Sequence, residues 1–177
     1  YIEKMGVVIH RNTHVGENIT VESLFEQGFD AIFIGTGLSK PKSLEIPIWQ
    51  NGRCISEGEG AVKCSDLKRI RLATHFLRRV ELISEGFMNR DELPVDKGAK
   101  VFVIGCGNTA MDASRSALRI GCSAVDVIYN KGIDTMSALR AEYDDAVKEG
   151  VQFRWWSSIS EIHVDDNLDI TEIVLRS

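Results

Sequence analysis

The chain has few of the features that mark disulfide-rich, membrane or nucleic-acid-binding proteins. Its 177 residues include three prolines and four cysteines, and no two cysteines form a Cys-x-x-Cys pair, so a redox dithiol or a zinc ribbon is not expected. No hydrophobic run approaches the roughly 20 residues of a membrane-spanning helix. The formal net charge is −5 and no long basic run occurs, which argues against nucleic acid as a partner.

The remaining composition is ordinary. Hydrophobic residues make up 44% and charged residues 27%, as in soluble globular proteins, and the length suffices for one well-packed domain or one domain plus parts of another. The first residues lack the apolar core of a signal peptide, and the absence of an initiating Met indicates an excised piece. Scattered cysteines fit a reducing cytoplasm, and the four histidines lack metal-ligand spacing. We therefore expect a cytoplasmic protein without a metal site.

Residues 101–112 are the most informative stretch. An apolar run leads into a Gly-x-Gly-x-x-Ala turn made by Gly105, Gly107 and Ala110, and a helical pattern follows. Gly105 permits a sharp turn out of a strand, Gly107 leaves room for a pyrophosphate beside the backbone, and Ala110 permits close packing of helix on strand. This order predicts a dinucleotide-binding turn; the alternative is a tight strand–helix connection that binds nothing.

Three further residues of the turn are candidate ligand contacts. Cys106 lies inside it, where a small side chain is tolerated. Asn108 and Thr109 open the helix and would cap it with or without a ligand. In the functional interpretation their backbone N–H groups face the phosphates, because the start of a helix carries free donors and a positive dipole end.

The apolar periodicity predicts an α/β chain with a terminal hairpin. We expect strands at 6–12, 30–34, 100–104, 124–129 and 151–155, helices at 21–27, 66–84, 108–120 and 135–149, and an antiparallel hairpin of 159–165 and 169–175. Residues 48–64 and 87–99 are interpreted as connectors. Two successive strand–helix–strand units predict a Rossmann-like three-layer nucleotide-binding domain with a parallel sheet plus the hairpin, preceded by the strands at 6–12 and 30–34.

The segment Ile104–Asp112, followed by Ala117–Gly121, resembles the NADPH-binding domain of the glutamate synthase small (beta) subunit and its relatives in the pyridine nucleotide-disulfide oxidoreductase superfamily. Upstream, Asp30–Gly37 is similar to the second flavin-side strand of that family, with Gly35 where Ala is usual. Phe76–Val80 resembles the family's linking helix. The resemblance extends over nearly the whole chain.

In that family NADPH binds an inserted nicotinamide domain and passes a hydride to FAD, and electrons then reach a partner subunit or an iron–sulfur cluster. The resemblance implies that residues 1–48 end the first FAD-domain segment, that 49–98 form a connector with the linking helix, and that 99–177 form an NAD(P)H-binding domain incomplete at its C-terminus. Thr36 and Gly37 would approach the flavin. The piece alone is expected to be inactive because its flavin site is incomplete.

The choice of nicotinamide cofactor depends on the loop after the second strand. The family commonly has paired arginines there, whereas this chain has Asn130 and Lys131. No acidic residue at the strand tip offers the ribose contact typical of NAD. Lys131 meets a 2′-phosphate as a point charge, without a bidentate fork, and Arg140 on the next helix is a second candidate cation. NADPH is favoured over NADH.

A second class of function stays open at this point, namely a non-catalytic regulatory module that senses a dinucleotide. The sequence has no nucleophile–base pair and no paired carboxylates, which agrees with hydride transfer, where cofactor placement matters more than an acid or base. Trp155 and Trp156 are adjacent and are predicted to face opposite sides of a strand, one of them toward the core; stacking on a nucleobase is the alternative role. Exposed edges at 7–12 and 30–34 would favour pairing between copies of the chain.

Overall fold

The chain is described by a computed structural model that covers residues 2–35 and 44–177. It divides into two compact units, Tyr1–Pro41 and Lys42–Ser177. Thr36 and Gly37, the two residues expected near a flavin, lie outside the described residues. Within the described ranges, no helix has the length and apolar character needed to cross a membrane.

The described residues of the first unit contain one short helix, α1 (Val21–Glu26), and a 3-10 turn at Glu3–Met5. The helix begins at Val21, as the sequence predicts, and Thr20 is its N-cap. The Thr20 hydroxyl accepts the N–H of Ser23 at 3.1 Å, and the Ser23 hydroxyl accepts the N–H of Thr20 at 3.0 Å. This reciprocal capping box satisfies two backbone donors and fixes the start of the helix.

The strands expected at 6–12 and 30–34 do not form in the described part of this unit. Their apolar side chains stay exposed; Val8 is 75% and Phe33 95% accessible. A strand is stable only when a neighbour pairs with its N–H and C=O groups, and neither segment has such a neighbour here. An apolar β pattern alone does not supply that partner, so the two predictions were wrong.

The second unit contains a three-stranded parallel sheet. Its strands are β3 (Lys100–Ile104), β4 (Ala124–Ile128) and β5 (Gln152–Arg154), and they lie side by side in the order β3–β4–β5. Helix α3 (Asn108–Arg119) connects the first two strands and α4 (Arg140–Glu149) connects the last two. The βαβαβ order and the parallel sheet agree with the sequence prediction.

The core of this region lies between the sheet and its helices. Val125 and Val127 of β4 are buried, and so are Met111 and Ala117 of α3. Helix α2 (Ala73–Ser84) contributes Phe76 to the same cluster and packs against α3. Small residues along α3 allow it to lie close to the strands, which places the N-terminus of α3 at the carboxyl edge of the sheet.

A second sheet has four strands. They are β1 (Ile48–Gln50), β2 (Arg53–Cys54), β6 (Ser158–Val164) and β7 (Ile170–Arg176), and they lie side by side in the order β2–β1–β6–β7. β6 and β7 form the predicted antiparallel hairpin, and β1 lies parallel to β6 with Ile48 opposite Ile162. Ile48, Ile162 and Leu67 are almost completely buried in a separate apolar cluster on this sheet.

Strands β1 and β2 correct the interpretation of residues 48–64 as an irregular connector. They form a tight hairpin in which Trp49 pairs with Cys54. The turn residues Asn51 and Gly52 have positive φ angles of 49° and 76°, as in a type I′ turn. The Asn-Gly dipeptide is the signal that could have found this hairpin; the strands themselves are too short to show a period.

Two helices begin later than predicted. The pattern at 66–84 becomes helical only at Ala73, because Leu67 is buried in the cluster of the four-stranded sheet and not on the face of α2. The pattern at 135–149 becomes helical only at Arg140. In both cases apolar residues at helical spacing serve other contacts before the helix starts.

Candidate functional site

The glycine turn leaves β3 at the carboxyl edge of the parallel sheet. Gly105 has φ +108°, in the left-handed region that favours glycine, and its N–H donates to the carbonyl of Ile128 in β4 at 3.0 Å. Gly107 is extended and precedes the first turn of α3. Its carbonyl accepts the N–H groups of Ala110 and Met111 at 2.9 and 3.1 Å. Each small residue thus occupies the position that the sequence predicts.

The turn presents backbone donors that the protein does not use. Among the described residues, no acceptor takes the N–H groups of residues 106–109. Gly107 has no side chain with which to cap α3, so these donors add to the positive end of the helix dipole. A Cβ built on Gly107 would meet only the Ser137 hydroxyl, at 3.4 Å, so the space beside the backbone is open. Free donors, positive potential and open space are what a diphosphate needs.

Cys106 contributes to the turn through its backbone only. Its side chain is buried in the core, and burial raises the pKa of its thiol, which keeps the thiol protonated. Its carbonyl accepts the N–H groups of Ser137 and Ala138 at 3.2 and 3.1 Å. These two bonds hold the segment before α4 against the turn.

Asn108 and Thr109 do not cap α3 with their side chains, contrary to the expectation for helix-opening residues. The side-chain oxygen of Asn108 instead accepts the N–H of Leu139 at 2.8 Å, just before α4. Thr109 is exposed and borders an open groove of about 620 Å³ between α2 and the start of α3, together with Leu77, Arg78 and other residues of α2. The backbone donors of both residues are left free.

The loop after β4 carries the residues predicted to meet a 2′-phosphate. Asn130 and Lys131 are exposed, and Lys131 forms no ion pair with any described residue. Arg140 is engaged within its own helix: its Nε donates to Asp144 at 3.0 Å, and its guanidinium lies 5.1 Å from the ring centre of Tyr143. Arg140 therefore has local partners, whereas Lys131 is available to an incoming anion.

The structure adds contacts for two residues that the sequence does not assign to the site. Asp126 of β4 accepts two hydrogen bonds from Arg154 of β5, at 2.7 and 2.9 Å, and this pair is held across neighbouring strands. Trp156 follows β5 with 67% of its surface exposed, and its backbone N–H donates to the carbonyl of Lys131. The adjacent tryptophans were noticed in the sequence, but nothing there placed one of them beside the Lys131 loop.

A parallel βαβαβ sheet with a bare glycine turn at the carboxyl end of its first strand defines a Rossmann-type nucleotide-binding domain. The family model described as pyridine nucleotide-disulphide oxidoreductase matches residues 2–176. The chain therefore belongs to the pyridine nucleotide-disulphide oxidoreductase family, as its resemblance to the glutamate synthase small subunit implies.

Individual relatives are similar over most of the chain. It is 32% identical over 172 residues to the NADPH-Fe(3+) oxidoreductase subunit beta of Geobacter sulfurreducens, covering 97% of this chain and 22% of that protein. It is 34% identical over 154 residues to the NADP(+)-dependent formate dehydrogenase subunit beta of Moorella thermoacetica, covering 87% and 18%. It is 31% identical over 157 residues to the putative glutamate synthase [NADPH] small chain of Cereibacter sphaeroides, covering 89% and 34%. The chain thus spans between 18% and 34% of the length of these relatives.

Proposed function

We propose that this chain is the NAD(P)H-binding part of a flavin-dependent oxidoreductase. The observation that carries the proposal is the set of free N–H groups at residues 106–109, beside the unobstructed backbone of Gly107. These donors would hold the pyrophosphate of the dinucleotide, in the way that helix N-termini bind anions. The bound nicotinamide would supply a hydride to FAD; the residues described here orient the cofactor and take no part as acid or base.

NADPH is the proposed cofactor. Lys131 is an exposed cation without an ion-pair partner among the described residues, at the end of the strand next to the glycine turn. Asn130 beside it offers amide donors, and the strand tip has no carboxylate that would repel a 2′-phosphate. The relatives named above carry NADPH or NADP(+) in their names, which supports the same choice. Arg140 is a weaker candidate because it already pairs with Asp144.

The flavin and the electron acceptor belong to the larger assembly that we propose. Residues 1–48 would end the first FAD-domain segment, 49–98 would connect, and 99–177 would hold NADPH. Thr36 and Gly37 remain the proposed flavin contacts. Two of the relatives are named as subunits and a third as a small chain, which supports a partner subunit as the acceptor; an iron–sulfur partner is the alternative that the family resemblance implies. The chain on its own would bind NADPH without turnover.

The test is a titration of the intact natural protein with NADPH in the absence of oxygen. We expect bound flavin, loss of its absorption when NADPH is added, and tighter binding of NADPH than of NADH by calorimetry. Gly107→Ala should keep the flavin and lose its reduction by NADPH. Binding of NADPH by a protein without flavin would instead identify a regulatory module, and the absence of any NADPH binding would refute the proposal.

A further inference from the structure

Trp156 combines exposure with an unusual backbone conformation. It lies two residues after the end of β5, 67% of its surface is accessible, and its φ is +55°. An aromatic residue rarely adopts this left-handed conformation, which costs free energy and persists only where the surroundings impose it. Its neighbour Trp155 behaves differently: that ring stacks on Phe153 at 5.4 Å within the core cluster. One indole of the pair therefore serves packing, and the other faces solvent.

Contacts with the loop after β4 impose the position of Trp156. Its N–H donates to the carbonyl of Lys131 at 3.2 Å, and the N–H of Ser157 donates to the carbonyl of Tyr129 at 2.9 Å. The indole lies directly against Gly132, where a Cβ would come within 2.8 Å of its Cζ2 atom. The exposed ring is thus held in one place before any ligand arrives, so that binding to it costs little conformational entropy.

The position of this ring relative to the glycine turn matters. Parallel strands end at the same edge, and neighbouring strands are about 4.8 Å apart, so β3 and β5 are about 10 Å apart across β4. The donors of residues 106–109 follow β3, Lys131 follows β4, and Trp156 follows β5. One edge of the sheet therefore carries, in order, donors for a pyrophosphate, a cation for a 2′-phosphate and an exposed aromatic ring.

We infer that Trp156 is the stacking surface for the adenine ring of the bound dinucleotide. The inference depends on the proposed function, since it extends the same site by one strand. With the pyrophosphate on the turn and the 2′-phosphate at Lys131, the adenosine ribose that carries this phosphate lies at the end of β4, and its base continues toward β5. Stacking of a base on an aromatic side chain contributes enough affinity that truncation to alanine weakens binding at least several-fold. Trp156 thereby selects the adenosine half of the cofactor.

The experiment divides the cofactor into its two halves. With the intact natural protein, dissociation constants are measured for NADPH, for adenosine 2′,5′-bisphosphate and for reduced nicotinamide mononucleotide. Trp156→Ala should raise the constants for NADPH and the bisphosphate about tenfold and leave that of the mononucleotide unchanged. Trp156→Phe should stay within about twofold of the wild type because it keeps a stacking ring. Trp49→Phe, in the other sheet, is the control for the loss of an indole.

Tryptophan fluorescence provides a second measurement that does not depend on stability. Adenosine 2′,5′-bisphosphate should quench the emission of the wild type and of Trp49→Phe, and the quench should be lost in Trp156→Phe. If the wild type binds NADPH and Trp156→Ala binds it with the same affinity, this inference is overturned and the proposed function is not. A wild-type protein that binds none of the three ligands would refute the proposed function itself.

Discussion

The side-chain oxygen of Asn108 accepts the backbone N–H of Leu139 at 2.8 Å. An asparagine at the start of a helix commonly bonds to the N–H groups of its own first turn. Here it reaches across to the start of α4, while the carbonyl of Cys106 accepts two further N–H groups from residues 137 and 138. The glycine turn and the segment before α4 are therefore one hydrogen-bonded structure, and the donors of α3 remain free for a ligand.

Asn108→Ala should loosen this structure. The N–H of Leu139 would lose its acceptor, and we expect the free energy of unfolding to fall by about 0.5–1.5 kcal/mol in urea titrations. NADPH affinity should fall as well, because the segment before α4 would no longer be held against the turn. Thr109→Ala is the matched control, because it removes the exposed side chain of the neighbouring residue and keeps the backbone N–H. The free energy of unfolding and the NADPH affinity should not change. Equal effects of the two substitutions would contradict this role of Asn108.

Alanine at Gly107 should lower NADPH affinity, whereas alanine at Gly105 should lower stability. Gly107 has φ −103°, and a Cβ there has an ordinary contact with Ser137, so Gly107→Ala should fold with nearly wild-type stability. Its methyl group occupies the space beside the free N–H groups, so NADPH affinity should fall at least tenfold. Gly105 has φ +108°, and Gly105→Ala should lower the free energy of unfolding by more than about 1 kcal/mol.

Calorimetry with NADPH and urea unfolding, carried out on both variants, separate these effects. Unchanged NADPH affinity in a folded Gly107→Ala protein would contradict the pyrophosphate site. A Gly105→Ala variant as stable as the wild type would show that the turn tolerates another backbone conformation.

The sequence predicted the parallel sheet and the turn because both depend on local signals. The apolar run Val101–Ile104 predicts a strand. The turn after it needs small residues because the backbone turns sharply there and a pyrophosphate must come close to it. The start of the helix at this turn was predicted too, but the sequence indicated Asn108 and Thr109 as its caps, whereas Gly107 takes the N-cap position without a side-chain hydrogen bond. The hairpin of β6 and β7 was also predictable, from alternation around residues 165–167.

Other features depend on contacts between distant segments. The side chain of Asn108 could cap its own helix or reach another, and only the placement of α4 decides between them. Leu67 falls within the predicted helix at 66–84 but is buried on the other sheet. The segments 6–12 and 30–34 have strand-like composition without a partner in the described unit. The hydrogen bond that holds Trp156 beside Lys131 joins two loops that are distant in the sequence, so its position could not be predicted.

Lys131→Glu should reduce affinity for NADPH more than for NADH. The lysine is exposed and unpaired among the described residues, so the substitution replaces an available cation with an anion beside the proposed 2′-phosphate. A hydrogen bond to a charged group contributes about 1.5–3 kcal/mol, so the ratio of the two dissociation constants should change about tenfold or more. Lys100→Glu makes the same charge change at the opposite edge of the sheet and should leave the ratio unchanged. Equal losses for both nucleotides would remove Lys131 from the phosphate site.

Arg115 should stabilise the packing of α3 on α4. Its side chain is only 17% exposed and contacts three carboxylates of α4: Glu142 at 2.8 Å, Glu149 at 2.9 Å and Asp145 at 3.5 Å. Arg115→Met would leave these three acids without their common partner, so the free energy of unfolding should fall by about 1–3 kcal/mol. The more exposed Arg119→Met should cost less than about 1 kcal/mol. Urea titrations that rank the two variants the other way would contradict the central position of Arg115.

Glu149 should make the stability of this helix pair sensitive to acid. Hydrogen bonds from Arg119, and then from Arg115, hold the pKa of its carboxyl below the ordinary glutamate value. Because the folded pKa lies below the unfolded one, the contribution is complete above about pH 4.3 and is lost as the pH falls through the folded value. The difference in unfolding free energy between the wild type and Glu149→Gln should therefore be largest near neutral pH and shrink in acid. Arg119→Met should flatten this dependence, and a difference that stayed constant with pH would show that the ion pairs do not contribute it.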